Sequence, residues 1–452
     1  MAPAAALLIT GWAAAQERAA EDPVLQELRK LQERLKALER RHDEDQARIR
    51  ELEKRLDSMA QADVRRDEAI ETLQTQPPAA EPAPTSSMFD LAGGGAGGGN
   101  LLNPQITVFI DTGGSISSRG ENKALNRFNL REVELDLRAA ISPSADGVLI
   151  IALGEEIESD AGGDVEIDRH VDIEEGYIDF HTLPYHLALK VGKFRNAFGR
   201  NNLLHTHDLP QVTRPLAVTN FLGGEGMATI GASLSWLVPN PLDKYLEARV
   251  ELVNADGGHE SPILGGPNAE NPAVLAHFTF FDDVTETSSF ELGGTYLFAH
   301  TSDDTNFDAN VFGIDAAYQW THPDPSKFRS LLVQGEAFWS ANDIDRGLFG
   351  SGRNHAFGAY AFAQYQFHRD WYVGLRGDYS EFPNSESRGP DDYDIAISPY
   401  VTWYLTEFLR MRLEYQHRMF ELDDGDRSEE AVFLQFTGVI GAHPPHPYWV
   451  RR

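Results

Sequence analysis

The chain has 452 residues, no cysteine, and 39 Lys+Arg against 70 Asp+Glu, a formal net charge of −31. Hydrophobic residues make up 41% and aromatics 10%, enough for a large ordered body, so general disorder is excluded. The negative charge excludes a basic nucleic-acid footprint, and the missing thiols exclude disulfide scaffolds, Cys-ligated metals and thiol catalysis.

No run of about 18 apolar residues is present, so no helix is expected to span a bilayer. That leaves a soluble protein or a β-barrel. Residues 1–15 read as a signal peptide: an apolar run from Ala4 to Trp12 precedes the small residues Ala13, Ala14 and Ala15, although a basic leader is missing. Residues 16–75 read as a coiled-coil stalk. Leu28, Leu35, Ile49, Leu56 and Ile70 form one seven-residue series, and Val24, Leu31, Leu38, Leu52, Met59 and Leu73 form a second, offset by three. A 3,4 spacing kept over about seven heptads demands a 3.5-residue seam. Polar His42, Asp45, Asp63 and Arg66 interrupt it. Residues 76–100, rich first in Pro and Ala and then in Gly, read as a linker.

From 101 to 440 the period changes to two. Val133, Leu135, Leu137 and Ala139 oppose Glu132, Glu134, Asp136 and Arg138; Met411, Leu413, Tyr415 and Met419 oppose Arg410, Arg412, Glu414, Gln416 and Arg418. Such alternation puts one face in an apolar phase and the other in water. Sixteen candidate strands follow, at 104–112, 127–141, 147–156, 171–181, 186–194, 227–237, 245–253 and 274–281, then 289–300, 310–320, 329–341, 355–367, 371–380, 393–404, 410–420 and 431–440. Short links such as "LPY" and "HRD" alternate strictly with long ones such as 157–170 and 195–226. Long strands, an even count and loop asymmetry together indicate an all-β transmembrane barrel of about 16 antiparallel strands, with short periplasmic turns and long external loops. A soluble sandwich would have shorter strands, and a propeller would show a blade repeat. Aromatics near strand ends, among them Trp236, Trp320, Trp371 and Tyr404, fit interfacial girdles. Residues 441–452 form a tail that ends on Arg452 and not on an aromatic.

A barrel this wide has a water-filled interior unless plugged, so passive diffusion of small hydrophilic solutes or ions is the expected function. The longest connection is the third long one, "RNAFGRNNLLHTHDLPQVTRPLAVTNFLGGEG", and the stretch "LKVGKFRNAFGR" at its start resembles the phosphate-selective porins of the O and P type. The resemblance implies a homotrimer, joined by barrel and coiled coil, in the outer-membrane lipid of a bacterium. It places the stalk in the periplasm and a loop folded into the pore. "LLHTHDLPQVTRPL" and the end "IGAHPPHPY" resemble, more narrowly, outer-membrane proteins described as zinc-regulated. On that resemblance His205, His207 and Asp208 are candidate ligands, with His443 and His446 a second pair on the opposite side of the membrane. Imidazole with carboxylate suits zinc, and zinc or calcium at surface loops are the cofactors considered.

Charge is concentrated in blocks: 155–175 hold ten acids and one Arg, and 421–430 hold six acids and one Arg. Acidic external loops would concentrate cations at the rim. Pore-lining candidates are mixed in sign: Lys190, Arg195, Arg200, Arg214, Arg249, Arg376, Arg410, Arg412, Glu414 and Arg418. The expectation is a mild cation preference, with an anion- or phosphate-selective pore and a closed-barrel envelope tether as alternatives. No G-x-S-x-G, P-loop or H-E-x-x-H motif occurs, so no enzyme and no nucleic-acid partner are expected.

Overall fold

The computed structural model describes residues 104–119, 125–159, 165–255, 262–264, 272–300, 308–345, 351–383, 392–420 and 427–441. The expected signal peptide, coiled coil, linker and C-terminal tail, with His443 and His446, lie outside these residues.

Sixteen strands run in chain order: β1 (Gln105–Ser117), β2 (Phe128–Ser142), β3 (Ala145–Ser159), β4 (Val165–Leu183), β5 (Leu187–Arg195), β6 (Ala228–Leu237), β7 (Tyr245–Val253) and β8 (Ala273–Thr285). They continue as β9 (Ser288–His300), β10 (Asp308–Thr321), β11 (Ser330–Asp345), β12 (Ser351–His368), β13 (Trp371–Glu381), β14 (Tyr393–Thr406), β15 (Leu409–Phe420) and β16 (Arg427–Gly441). Each pairs with its sequence neighbours, and β16 returns to β1, from Thr107 opposite Gly441 to Ser117 opposite Ala431. The barrel is closed, so no strand edge is left open.

All sixteen expected strands are present, several longer than the alternation suggested. The main difference lies at the expected long link 157–170. There β3 and β4 stay paired out to Ser159 opposite Val165. The acidic block 155–175 is therefore mostly sheet. Its acids alternate with Ile167, Val171 and Ile173, which supply the apolar face a strand needs and are all exposed on the barrel exterior.

The side-chain pattern is inside out. Exposed apolar residues recur along the outer face, including Ile230, Val250, Phe312, Leu375, Ile397 and Leu413, while Asp111, Glu134, Glu251, Arg376, Arg412 and Gln435 point inward and are buried. An apolar exterior this continuous is not tolerated in water, and it is the outer band of a membrane barrel. Trp371 and Trp403 stack at 5.1 Å near the short-turn end, where an interfacial girdle belongs.

Two register irregularities matter for the interior. Asp111 faces Glu132 and Thr112 faces Leu130, so Arg131 has no cross-strand partner on β1. Likewise Ile150 faces Glu175 and Ile151 faces Ile173, leaving Glu174 unopposed. A bulge breaks the alternation by one residue. Arg131 and Glu132, and Glu174 and Glu175, can then both reach the lumen. As a check on the outward assignment, Leu375→Arg at mid-strand on β13 should cost about 2–4 kcal/mol, read as a lower urea midpoint for folding into lipid vesicles; an unchanged midpoint would contradict a lipid-facing position.

Candidate functional site, a loop folded into the barrel

Residues 196–227, between β5 and β6, fold inward and cross the lumen. Two 3-10 turns, Asn201–Leu203 and Thr206–Asp208, lead to a short helix α1, Leu216–Leu222. Gly199 has φ +66°, and a Cβ there would stand 2.3 Å from Glu336 Oε2. Only glycine lets the chain enter so close to that carboxylate.

One flank of the loop is apolar. Ala217, Val218, Phe221 and Leu222 of α1 are buried in one apolar cluster with Phe198, Ile263, Leu264 and the inward residues Leu275, Leu297, Val311 and Phe338. Phe338 meets Phe198 edge-on at 5.3 Å and Phe221 at 5.6 Å. The expected lumen of mixed charge is thus modified on this side: near the long-loop end of β8–β11 the inward residues Leu275, Leu297, Val311 and Phe338 belong to an apolar cluster with Phe198, Ile263 and Leu264, while α1 packs on β11–β13. Water never reaches those side chains.

The rest of the loop is held by charge. Every buried N–H and C=O needs a partner, and the wall supplies carboxylates for the first and guanidiniums for the second. Val212 N donates to Glu414 Oε2 at 2.6 Å and Thr213 N donates to the same atom at 3.1 Å. Glu336 Oε1 accepts from the N–H groups of Arg200 and Asn201 at 3.1 and 2.7 Å. Leu216 N donates to Asp378 Oδ1 at 3.1 Å. In the other sense, Arg412 donates to the carbonyls of Leu209 and Gln211, Arg410 to that of His207, and Arg376 to that of Thr213. Arg131, re-aimed by its bulge, reaches Val212 O at 3.1 Å.

The candidate pore residues fall into three groups. Arg376, Arg410, Arg412 and Glu414 are buried beneath the loop and hold its backbone. Arg195 and Arg214 brace the loop's base, Arg195 on Glu174 at 2.8 Å and on Glu225 O at 2.6 Å, Arg214 on Gly224 O and Leu204 O at 3.1 and 3.2 Å. The others lie at or facing the wall. Arg200, from the loop, pairs with Glu291 of β9 and Arg249 of β7 with Glu247, and both line a cavity of about 240 Å3 with His277 and Asp315. Lys190 lies 4.2 Å over the Tyr177 ring, and Arg418 pairs with Asp394.

His205 and His207 come together with four carboxylates absent from the sequence-based ligand set. His205 Nδ1 lies 2.5 Å from Glu174 and 3.1 Å from Glu134, and its Nε2 lies 3.2 Å from Glu175. His207 Nδ1 lies 3.3 Å from Glu134 and 3.9 Å from Glu132, and its ring stacks on Phe109 at 4.0 Å. Asp208 is set apart: it is partly exposed and faces His207 Nε2 at 3.6 Å. Burial and the Arg195 guanidinium both pull His205 down, yet Glu134 and Glu174 outweigh them and hold it well above the usual imidazole range. His207 is likewise lowered by burial but carried up to about 9 by Asp208, Glu134 and Glu132. Glu132 and Glu134 carried a sequence signal, because they sit on the polar face of an alternating strand. Glu174 beside Glu175 carried none, since the bulge that turns both inward has no residue signature.

No protein-family profile matches the chain. A chain from Aquifex aeolicus (strain VF5), described as an uncharacterized protein, is 29% identical over 359 residues, covering 73% of this chain and 72% of that one. Among solved structures, the outer membrane channel DcaP of Acinetobacter baumannii is similar with a TM-score of 0.50 at 12% identity, over 75% of this chain and 96% of that one. The anion-selective porin from Comamonas acidovorans gives 0.48 at 10% identity, over 75% and 99%. The likeness to DcaP is one of fold, a closed antiparallel barrel, here of sixteen strands.

Arg412→Ala would leave the carbonyls of Leu209 and Gln211 without their charged donor, a loss on the order of 3 kcal/mol in loop docking. Limited proteolysis of the folded barrel should then cut within 205–215 at concentrations of protease that leave the unsubstituted protein intact. Identical digestion patterns would contradict the anchoring role.

Proposed function

We propose that the chain is an outer-membrane channel for passive diffusion of small hydrophilic solutes or ions, with residues 196–227 as its constriction and a mild preference for cations. The observation that carries this reading is the closed barrel whose polar inner wall is crossed by a loop. A shaped narrowing inside a water-filled barrel is how channels set size and charge selectivity. Support for the cation preference comes from how the bases are used. Arg376, Arg410 and Arg412 are committed to loop carbonyls, so they present little positive field to a solute. The cavity of about 240 Å3 is bordered by Glu247, Glu291 and Asp315 against Arg200 and Arg249. A larger one, about 430 Å3 at the short-turn end, is lined by Gln319, Gln364, Gln366, Tyr372 and Glu286, with Arg329 as its base.

The rest of the reading is architectural. The chain sits in bacterial outer-membrane lipid with its short turns in the periplasm, in keeping with strand order and loop asymmetry. The heptads of 16–75 support a periplasmic stalk and a homotrimer. A second reading, an envelope tether with a closed barrel, is favoured by the apolar seal of Phe198, Phe221 and Phe338 across one side of the lumen.

Single-channel recording in planar bilayers with a potassium chloride gradient separates these. The channel reading predicts small discrete steps and a cation-sided reversal potential, and Glu247→Gln with Glu291→Gln should shift that potential toward zero. Arg376→Ala with Arg412→Ala should raise conductance roughly twofold or more by releasing the loop. An anion-sided reversal would overturn the selectivity, and folded protein that gives no steps would favour the tether.

A further inference from the structure

Among the described residues, the carboxylates and imidazoles beside β2 pair by charge, yet several of their buried atoms make no hydrogen bond. Two sets of three side chains, Glu132 with Glu134 and His207, and Glu134 with Glu174 and His205, each bring one ligand atom per residue within 4.8 Å of the others. All are buried, with Glu134 only 1% and His207 only 2% exposed.

The two sets differ in what already neutralises them. In the second, Arg195 Nη2 lies 2.8 Å from Glu174 Oε2, and His205 Nδ1 lies 2.5 Å from the same oxygen. That oxygen has its cation and its hydrogen bond, while Glu174 Oε1 has no hydrogen-bond partner. In the first, both oxygens of Glu132 and Nδ1 of His207 make no hydrogen bond, although each is sealed from solvent; Glu134 Oε2, common to both sets, lies 3.1 Å from His205 Nδ1 and 3.3 Å from His207 Nδ1. A buried carboxylate left without partners is among the more costly arrangements a protein can hold. Two carboxylates and an imidazole nitrogen converge there on one point, a donor set that a divalent cation would satisfy in place of the imidazolium proton.

We propose that Glu132, Glu134 and His207 Nδ1 bind one divalent transition-metal ion of the zinc type, clamping the loop to β2. Donor chemistry supports this class: an imidazole nitrogen with two carboxylate oxygens suits zinc better than calcium or magnesium, which take all-oxygen shells. Spacing supports it as well. Ligand atoms about 2.0–2.2 Å from a tetrahedral ion stand roughly 3.3 Å apart, and His207 Nδ1 lies 3.3 Å from Glu134 and 3.9 Å from Glu132. The ring is oriented for the task. Phe109 stacks on its face at 4.0 Å, and Asp208 faces the opposite nitrogen, Nε2, at 3.6 Å. A carboxylate behind a ligating imidazole is the usual support for such a ligand. Asp208 thus orients His207 and does not itself bind.

The test uses the full chain folded in detergent after washing with a chelator, titrated calorimetrically with zinc chloride. One equivalent should bind. His207→Gln and Glu132→Gln should each weaken it about a hundredfold or more, beyond the 10–100-fold typical of supporting residues, while His205→Gln keeps affinity within about tenfold. X-ray absorption at the zinc edge should show a nitrogen at about 2.0–2.1 Å together with oxygens and no sulfur. Circular dichroism confirms that each variant keeps its barrel. No uptake by the folded barrel, an equivalent retained by the Glu132→Gln, His207→Gln double variant, or loss in His205→Gln with retention in His207→Gln would each overturn the assignment. Calorimetry needs no conductance, so a barrel that binds zinc without conducting would count only against the channel reading.

Discussion

A segment that leaves the sheet and crosses the lumen carries one N–H and one C=O per residue into a place with little water. In this barrel those groups are met by ionised side chains from the wall, carboxylates for the donors and guanidiniums for the acceptors. Glu336 and Glu414 each hold two consecutive backbone N–H groups, and Arg412 holds two carbonyls. The arrangement also solves the wall's own difficulty. Charges buried this deeply are costly unless paired and hydrogen-bonded, and the loop's peptide groups supply much of that bonding. Neither wall nor loop would be stable in this form without the other.

The division of the interior follows from that dependence. Where the loop presents peptide groups, to β2, β11, β13 and β15, the wall offers charged residues. Beside the apolar cluster that contains α1 and Phe198, the inward residues are Leu275, Leu297, Val311, Phe338 and Phe362. Outside, the alternation delivers an apolar surface for lipid. A single period of two thus serves two solvents, and its inner half is tuned position by position to the chain that lies against it.

Much of the barrel was legible. Sixteen strands, their antiparallel order and the long connection after β5 followed from alternation, turn chemistry and loop length. The inward face of β2 was read correctly at Glu132, Glu134 and Asp136, which are all buried. What escaped were departures from the rule. The bulges at Arg131 and Glu174 shift one residue each, and alternation alone assigns those residues to the wrong face. The acidic stretch 155–175 looked like a loop because its charge density masked the period of Ile167, Val171 and Ile173. The histidines were legible as a pair, but their partners come from strands that are distant in sequence, and nothing local announces that a loop will cover the arginines of β13 and β15.

The central claim is that the backbone of 196–227 is paired to the wall, and amide hydrogen exchange read by mass spectrometry on the folded barrel tests it most directly. Docked as described, the amides of Ala197, Asn201, Val212 and Leu216 should exchange over minutes to hours, as slowly as those of the strands. Complete exchange of this segment within seconds, while the strands stay protected, would contradict the account.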